Sequence, residues 1–342
     1  MFGQASAALA EATNTSPPFS EVYDLIRAHL GGVNETELNR AAVQGLLTSL
    51  GPKVSLVANN AANSESAPKA LVTLATVFED DIGYLRIGRV GDGLAKAVQD
   101  GYDSLAATNK LKGLVLDLRF ADGSDYAAAA AVTDLFLKKE RPLLDWGNGV
   151  VRSKEKMEAI GVPVAVLVNR RTSAAAEALA ASMRQTGTGL LLGSRTAGQA
   201  MISKDFPLKD GEVLRIATAP IKLGDGAALS TQGVRPDIIV EISPREERLY
   251  YDDPYRETGT NTLLASANVG PTNQAGGTNR VGRRSRFNEA ELVRERKEGL
   301  NPDSDTIPET AGVPEEISVQ DPSLARALDF LKGLAVVRQS RS

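Results

Sequence analysis

Between residues 82 and 194, short unbroken apolar runs alternate with stretches of helical periodicity, and few folds accommodate that alternation. The runs are GLVLDLRF (113–120), VPVAVLVN (162–169) and GLLLGS (189–194). A strand with no polar alternation is covered on both faces, so these read as the centre of a sheet with helices on either side. Helical patterns over about 92–108, in SDYAAAAAVTDLFL and in SAAAEALAASMRQ supply those helices. The spacing predicts an α/β core of parallel strands with helical crossovers. Ahead of it, LVTLATVFED and IGYLRIGRV flank an Asp-Asp pair and predict a hairpin; after it, EVLRIATAPIKL and DIIVEI add strand-like segments.

The flanks are different in kind. Residues 1–18 are small and polar and read as a flexible tail. Residues 19–52 predict two amphipathic helices: Val22, Leu25, Ile26 and Leu30 share one spacing before Gly31-Gly32, and Asn34 with Glu37 forms a capping-box pattern. Two such helices should pack on each other and on the core. Residues 53–70 read as a linker and 71–244 as the core. Residues 245–320 read as an extension with low-complexity, mobile segments, Gly/Asn-rich over 259–286 and acidic and Pro-rich over 300–320, where limited proteolysis should cut first. Residues 321–342 predict a terminal helix with Leu324, Leu328 and Leu331 near one face.

Composition removes whole classes of chemistry. With no Cys there is no thiolate nucleophile or metal site, and the one His, His29, makes a His-rich metal centre impossible. No cofactor is expected. His29 sits before a Gly-Gly stop and reads as a helix C-terminal dipole contact. Against 43 Asp and Glu stand 39 Lys and Arg, for a net charge of −4, so no nucleic-acid partner is expected. No apolar run reaches the length of a membrane span.

In an open α/β sheet the chemistry sits at the carboxyl ends of the strands. Three such ends stand out: Asp117-Leu118-Arg119 leading to Ala121-Asp122-Gly123-Ser124, Asn169 leading to Arg170-Arg171-Thr172-Ser173-Ala174-Ala175-Ala176-Glu177, and Gly193 leading to Ser194-Arg195-Thr196-Ala197-Gly198-Gln199. Asp117 and Arg119 read equally as site residues or as an ion pair. Glu177 reads as a first-turn carboxylate favoured by the helix dipole. Arg170 and Arg171 fall at the mouth of the expected cleft, either binding a carboxylate or simply solvated.

VLVNRRTSAAAEALAASM and LLLGSRTAGQA, together with GLVLDLRFADG and the Gly233-Val234-Arg235-Pro236-Asp237 turn, resemble in order the motifs of the C-terminal processing peptidases, or tail-specific proteases, which cut with a Ser-Lys dyad. The resemblance covers roughly 19–50, 71–243 and 321–333. It implies a mixed sheet with ββα units of the crotonase-like kind, a polypeptide substrate or partner, and an extracytoplasmic compartment, although the N-terminus carries no intact signal peptide. Homo-oligomerisation stays open.

At the key positions this sequence departs from that pattern. The resemblance places the nucleophilic Ser at Ala174, its Lys base at Gln199 and the Lys-orienting Gln at Ser203. It also places a PDZ domain where residues 53–70 are too short to form one. A methyl group cannot attack a carbonyl, and an amide is no base at neutral pH. What the resemblance leaves is oxyanion binding by the backbone N–H of Gly123 and Ala175. The sequence therefore points to a pseudoprotease that binds a protein or peptide. The alternative is an active peptidase with a relocated pair, Ser173 attacking and Lys204 as base; against it, Ser173 or Thr172 reads as the N-cap of the following helix.

Overall fold

The computed structural model describes residues 16–57, 70–256 and 318–339. The expectations for residues 1–15, 58–69 and 257–317 lie outside these. In chain order the elements are α1 (Phe19–His29), α2 (Glu35–Leu50), β1 (Val54–Val57), β2 (Val72–Phe78), β3 (Ile82–Ile87), β4 (Arg89–Val90), α3 (Leu94–Thr108), β5 (Gly113–Asp117), β6 (Asp122–Gly123) and α4 (Tyr126–Asp134). They continue with β7 (Pro142–Asp145), β8 (Val151–Arg152), β9 (Val164–Val168), α5 (Ala174–Thr186), β10 (Leu190–Gly193), β11 (Met201–Pro207), β12 (Val213–Pro220), β13 (Lys222–Leu223), β14 (Ile238–Ile239) and α6 (Pro244–Asp252). A last helix, α7, spans Pro322–Gln339.

The main sheet has six strands in the order β14-β10-β9-β5-β3-β2. All neighbours run parallel except the β2–β3 hairpin at one edge, so the sheet is mixed. Every residue of β5 and β9 is buried, as unbroken apolar runs require. One face packs on α3, α4 and α5 through residues such as Leu116, Val166, Val98 and Leu179. The other packs on α7, whose Leu324, Leu328 and Leu331 are each 1% exposed against Tyr84, Val115 and Leu167. Burying one leucine is worth about 1.5–3 kcal/mol, so these three alone hold α7 firmly on the sheet.

Two expectations are corrected. Residues 54–57 are not linker: they form β1, which pairs antiparallel with β12 in a small sheet with β11. Val54, Leu56 and Val57 are half-buried there, and the Gly-Pro turn at 51–52 redirects the chain into the strand. The extension after 244 opens with a helix. Ser243 caps α6 by accepting from the Glu246 N–H, Pro244 occupies the first turn, and Tyr250 and Tyr251 are buried. Finally, the helical pair does not bury its apolar faces. The capping box of Asn34 and Glu37 forms as expected, yet no residue of α1 or α2 is buried, and Phe19 is 61% exposed.

Candidate functional site

The connection from β9 to α5 is strapped to the neighbouring strand end by its own polar residues. Asn169 and Thr172 are fully buried. The Asn169 Oδ1 accepts from the N–H groups of Phe120 and Arg171 at 3.2 and 2.9 Å. Thr172 Oγ1 accepts from the Asn169 N–H and donates to the Leu118 carbonyl. The Ser173 N–H donates to the Ala121 carbonyl. Locked this way, the backbone turns sharply into the helix, and Ala174 takes φ +50°. A side chain at positive φ is strained, by about 1–2 kcal/mol for a residue with a Cβ. The elbow therefore presents residue 174 at a backbone cost although Ala174 carries no reactive atom.

Ser173 holds the N-cap position of α5 but its side chain makes no cap bond. Thr172 spends its hydroxyl on the strap. The N-cap expectation is right in position for Ser173 and wrong in chemistry, because the first turn is anchored by Thr172 and by bonds to the loop that follows β5.

Glu177 does more than answer the helix dipole. It is fully buried, and its Oε1 accepts from Thr196 Oγ1 at 2.8 Å and from the Gly198 N–H at 3.1 Å. Its Oε2 accepts from the Gln199 N–H at 2.9 Å. Burial pushes its pKa up, and the donors from Thr196, Gln199 and Gly198 pull against that rise. Thr196 Oγ1 in turn accepts from the Val234 N–H. One carboxylate thus ties the 196–199 turn to α5, and the Gly233-Val234 turn is tied on through Thr196. Gly198, at φ +73°, lies so close to Thr231 that a Cβ would stand 2.2 Å from its carbonyl oxygen.

The result is a cavity of about 450 Å³ lined by Ala174, Gln199, Ser203, Ser124, Tyr126 and Trp146, among others. The three positions that the resemblance singled out therefore share one cleft. The fallback pair does not: neither Ser173 nor Lys204 lines it. Strand alternation explains the second, since Ser203 and Asp205 of β11 face the cleft and Lys204 lies between them. Gly123 sits in β6 beside β4 at φ +138°, where a Cβ would meet the Val90 carbonyl oxygen at 2.1 Å. Ala175 is buried in the first turn of α5, where helix N–H groups have no intrahelical acceptor.

Arg170 and Arg171 are corrected: they do not stand at the mouth of this cleft but line a separate groove with Phe120 and Glu247. The strap on Asn169 turns them away from residue 174. Several cleft residues escaped sequence reading. The Tyr126 hydroxyl donates to the Met201 carbonyl and accepts from its N–H, and burial pushes its pKa up to about 12. Trp146, the only tryptophan in the chain, and the Asp205–Arg215 pair at 2.7 Å complete the walls. The β11 alternation would have signalled Asp205; nothing local signals Trp146 or Tyr126.

Below the cleft, Asp117 and Arg119 form an ion pair and not a site. Arg119 donates to both Asp117 oxygens, and Tyr84 donates to Asp117 at 2.7 Å. Asp321, immediately before α7, lies 2.7 Å from Arg119 Nη1, in ion-pair contact but outside hydrogen-bond angles. Burial alone would lower the Arg119 pKa, but Asp117 and Asp321 hold the guanidinium charged. Tyr251 of α6 stacks near the same guanidinium, so the network joins α7, α6 and the sheet.

Residues 81–240, which hold this mixed sheet and the strained elbow at the head of α5, match peptidase family S41. The chain is 28% identical over 255 residues to the carboxy-terminal processing protease CtpA of Bacillus subtilis, covering 72% of this chain and 52% of that protein. It is 32% identical over 183 residues to the carboxy-terminal-processing protease of Bartonella bacilliformis, covering 51% and 42%. It spans about half the length of these relatives. A solved structure of a candidate peptidase from Parabacteroides merdae shares the fold at a TM-score of 0.52 and 17% identity, over 74% of this chain and 89% of that one. Over this core the chain is similar to the C-terminal processing peptidases.

Proposed function

We propose that this protein is a pseudoprotease of its family, holding a polypeptide segment in the cleft of Ala174 without cutting it, in an extracytoplasmic compartment. One observation carries the reading: the elbow keeps Ala174 at φ +50° on the wall of a cleft shared with Gln199 and Ser203. The strained backbone serves presentation, but the presented side chain is a methyl group. Neither a hydroxyl at 174 nor an amine at 199 is available to form and accept from the attacking oxygen, and losing such a unit costs on the order of a millionfold in turnover. The cleft remains open and mixed in character, with Trp146, Tyr126 and the Asp205–Arg215 pair, which suits a peptide. Among the described residues no helix is long and apolar enough to cross a membrane.

The test uses a fluorophosphonate serine probe and fluorescein-labelled casein. The native protein should bind casein, leave it intact and take no label, and Ser203→Trp, which fills the cleft, should weaken binding about tenfold. Ala174→Ser with Gln199→Lys should give weak labelling, and either change alone none. Labelling of the native protein at Ser173, casein turnover that vanishes with Ser173→Ala, or no casein binding at all would overturn the proposal.

A further inference from the structure

The loops that leave β9 and β10 open onto a second groove, which shares no lining residue with the cleft of Ala174. Two cavities, of about 660 and about 520 Å³, meet at Arg170, Ser194 and Ile242. Arg195 and Arg235 line the first; Arg171 and Arg248 line the second. Arg248 is paired with Asp252 at 3.4 Å. Among the described residues, the other four have no carboxylate partner, although most of the molecule's close ion pairs do engage arginines, as Arg184 engages Asp237 at 2.7 Å.

Gathering four guanidinium groups on one groove is unfavourable by self-repulsion in a chain whose net charge is −4. Two carboxylates share the lining, and neither neutralises them. Glu241 is a single charge, and Glu247 is buried, with its field offset by the fully buried Arg119. An anionic occupant would relieve the repulsion, and the planar guanidinium fork matches a carboxylate with two parallel bonds.

The rest of the wall selects among anions. Ile239 is 51% exposed, and Ile242, Pro236 and Phe120 add apolar surface. β14, which carries Ile239, is the outer strand of the six-stranded sheet, so its far side has no strand partner among the described residues. An extended chain can pair with such an edge and place alternate side chains on the groove. A nucleic acid would use neither the apolar wall nor the edge.

We propose that this groove binds an extended acidic segment of a partner protein, with Arg170, Arg195 and Arg235 holding its carboxylates and Ile239 and Ile242 receiving its apolar side chains. The proposal is independent of the reading of the Ala174 cleft. Fluorescence anisotropy of the full chain with a fluorescein-labelled octapeptide alternating Glu and Val tests it. Saturable binding that weakens with added salt is expected. Arg170→Ala/Arg195→Ala/Arg235→Ala should lose at least tenfold in affinity, and Arg235→Glu alone should lose several-fold, with circular dichroism unchanged because all three side chains are exposed. Lys96→Ala on α3 and Ser203→Trp in the other cleft should leave the affinity as it was. No binding at low salt, or equal affinity in the triple variant and in Arg235→Glu, would overturn the proposal. So would displacement by inorganic phosphate or a uridine oligonucleotide as effective as that by unlabelled peptide, because the groove would then be a general anion site.

Discussion

Glu177→Ala removes the one acceptor that the 196–199 turn shares with α5. The N–H groups of Gly198 and Gln199 lose their partner, and Thr196 keeps only the bond it accepts from Val234. A neutral hydrogen bond is worth about 0.5–1.5 kcal/mol net, and a buried donor left unpaired costs about 1–3 kcal/mol. Two stranded amides and a weakened hydroxyl set the expected loss at about 3–5 kcal/mol, or roughly 10 °C in thermal midpoint at the usual few degrees per kcal/mol. Glu177→Gln restores the acceptor for Thr196 and Gly198 but turns its NH2 toward the Gln199 N–H, so it should cost about half as much. The pH dependence separates the carboxylate from a mere space-filler. Burial holds the Glu177 pKa above the ordinary carboxylate value, so the fold prefers the protonated form. Its contribution is therefore largest below about pH 4.3 and declines as the pH rises from there through the raised folded value. The stability gap between the native chain and Glu177→Gln should narrow across that window, read from thermal melts at a series of pH values. A Glu177→Ala loss under about 1 kcal/mol, or a gap that widens with pH, would refute the account of the turn.

Two further perturbations probe the frame around the site. Ala174→Gly should be neutral or stabilising by up to about 1 kcal/mol in denaturant melts, because release of the strain at φ +50° offsets the entropy that Gly adds to the unfolded chain, whereas Ala180→Gly inside the same helix should destabilise by about 1 kcal/mol. Asp321→Ala should cost about 3 kcal/mol and release α7 first, seen as early loss of hydrogen-exchange protection over 322–337, because Arg119 is then left buried with only Asp117.

What the sequence made legible were features whose signal is local or periodic. The buried runs of β5, β9 and β10, the capping box of Asn34 and Glu37, and the leucine face of α7 all have partners within a helical turn or a strand's alternation, so the pattern alone carries them. α6 was legible in principle, since Ser243, Pro244 and Glu246 spell a helix start, but the polar composition of PREERLYYD masked it. Ala174, Gln199 and Ser203 were singled out by the resemblance, and the structure brings all three to one cleft. Direction was not legible. Arg170 and Arg171 follow β9 in sequence as closely as Ala174 does, yet Asn169 Oδ1, by accepting from both Phe120 and Arg171, sets where the turn points, and it sends the arginines to the other groove. The role of Glu177 was hidden for the same reason. Its dipole contact is local, but the three donors that make it the anchor of the turn lie some twenty residues away at positions 196, 198 and 199. None of these bonds involves the side chain at 174, so the elbow and the 196–199 turn hold their geometry whatever residue stands there.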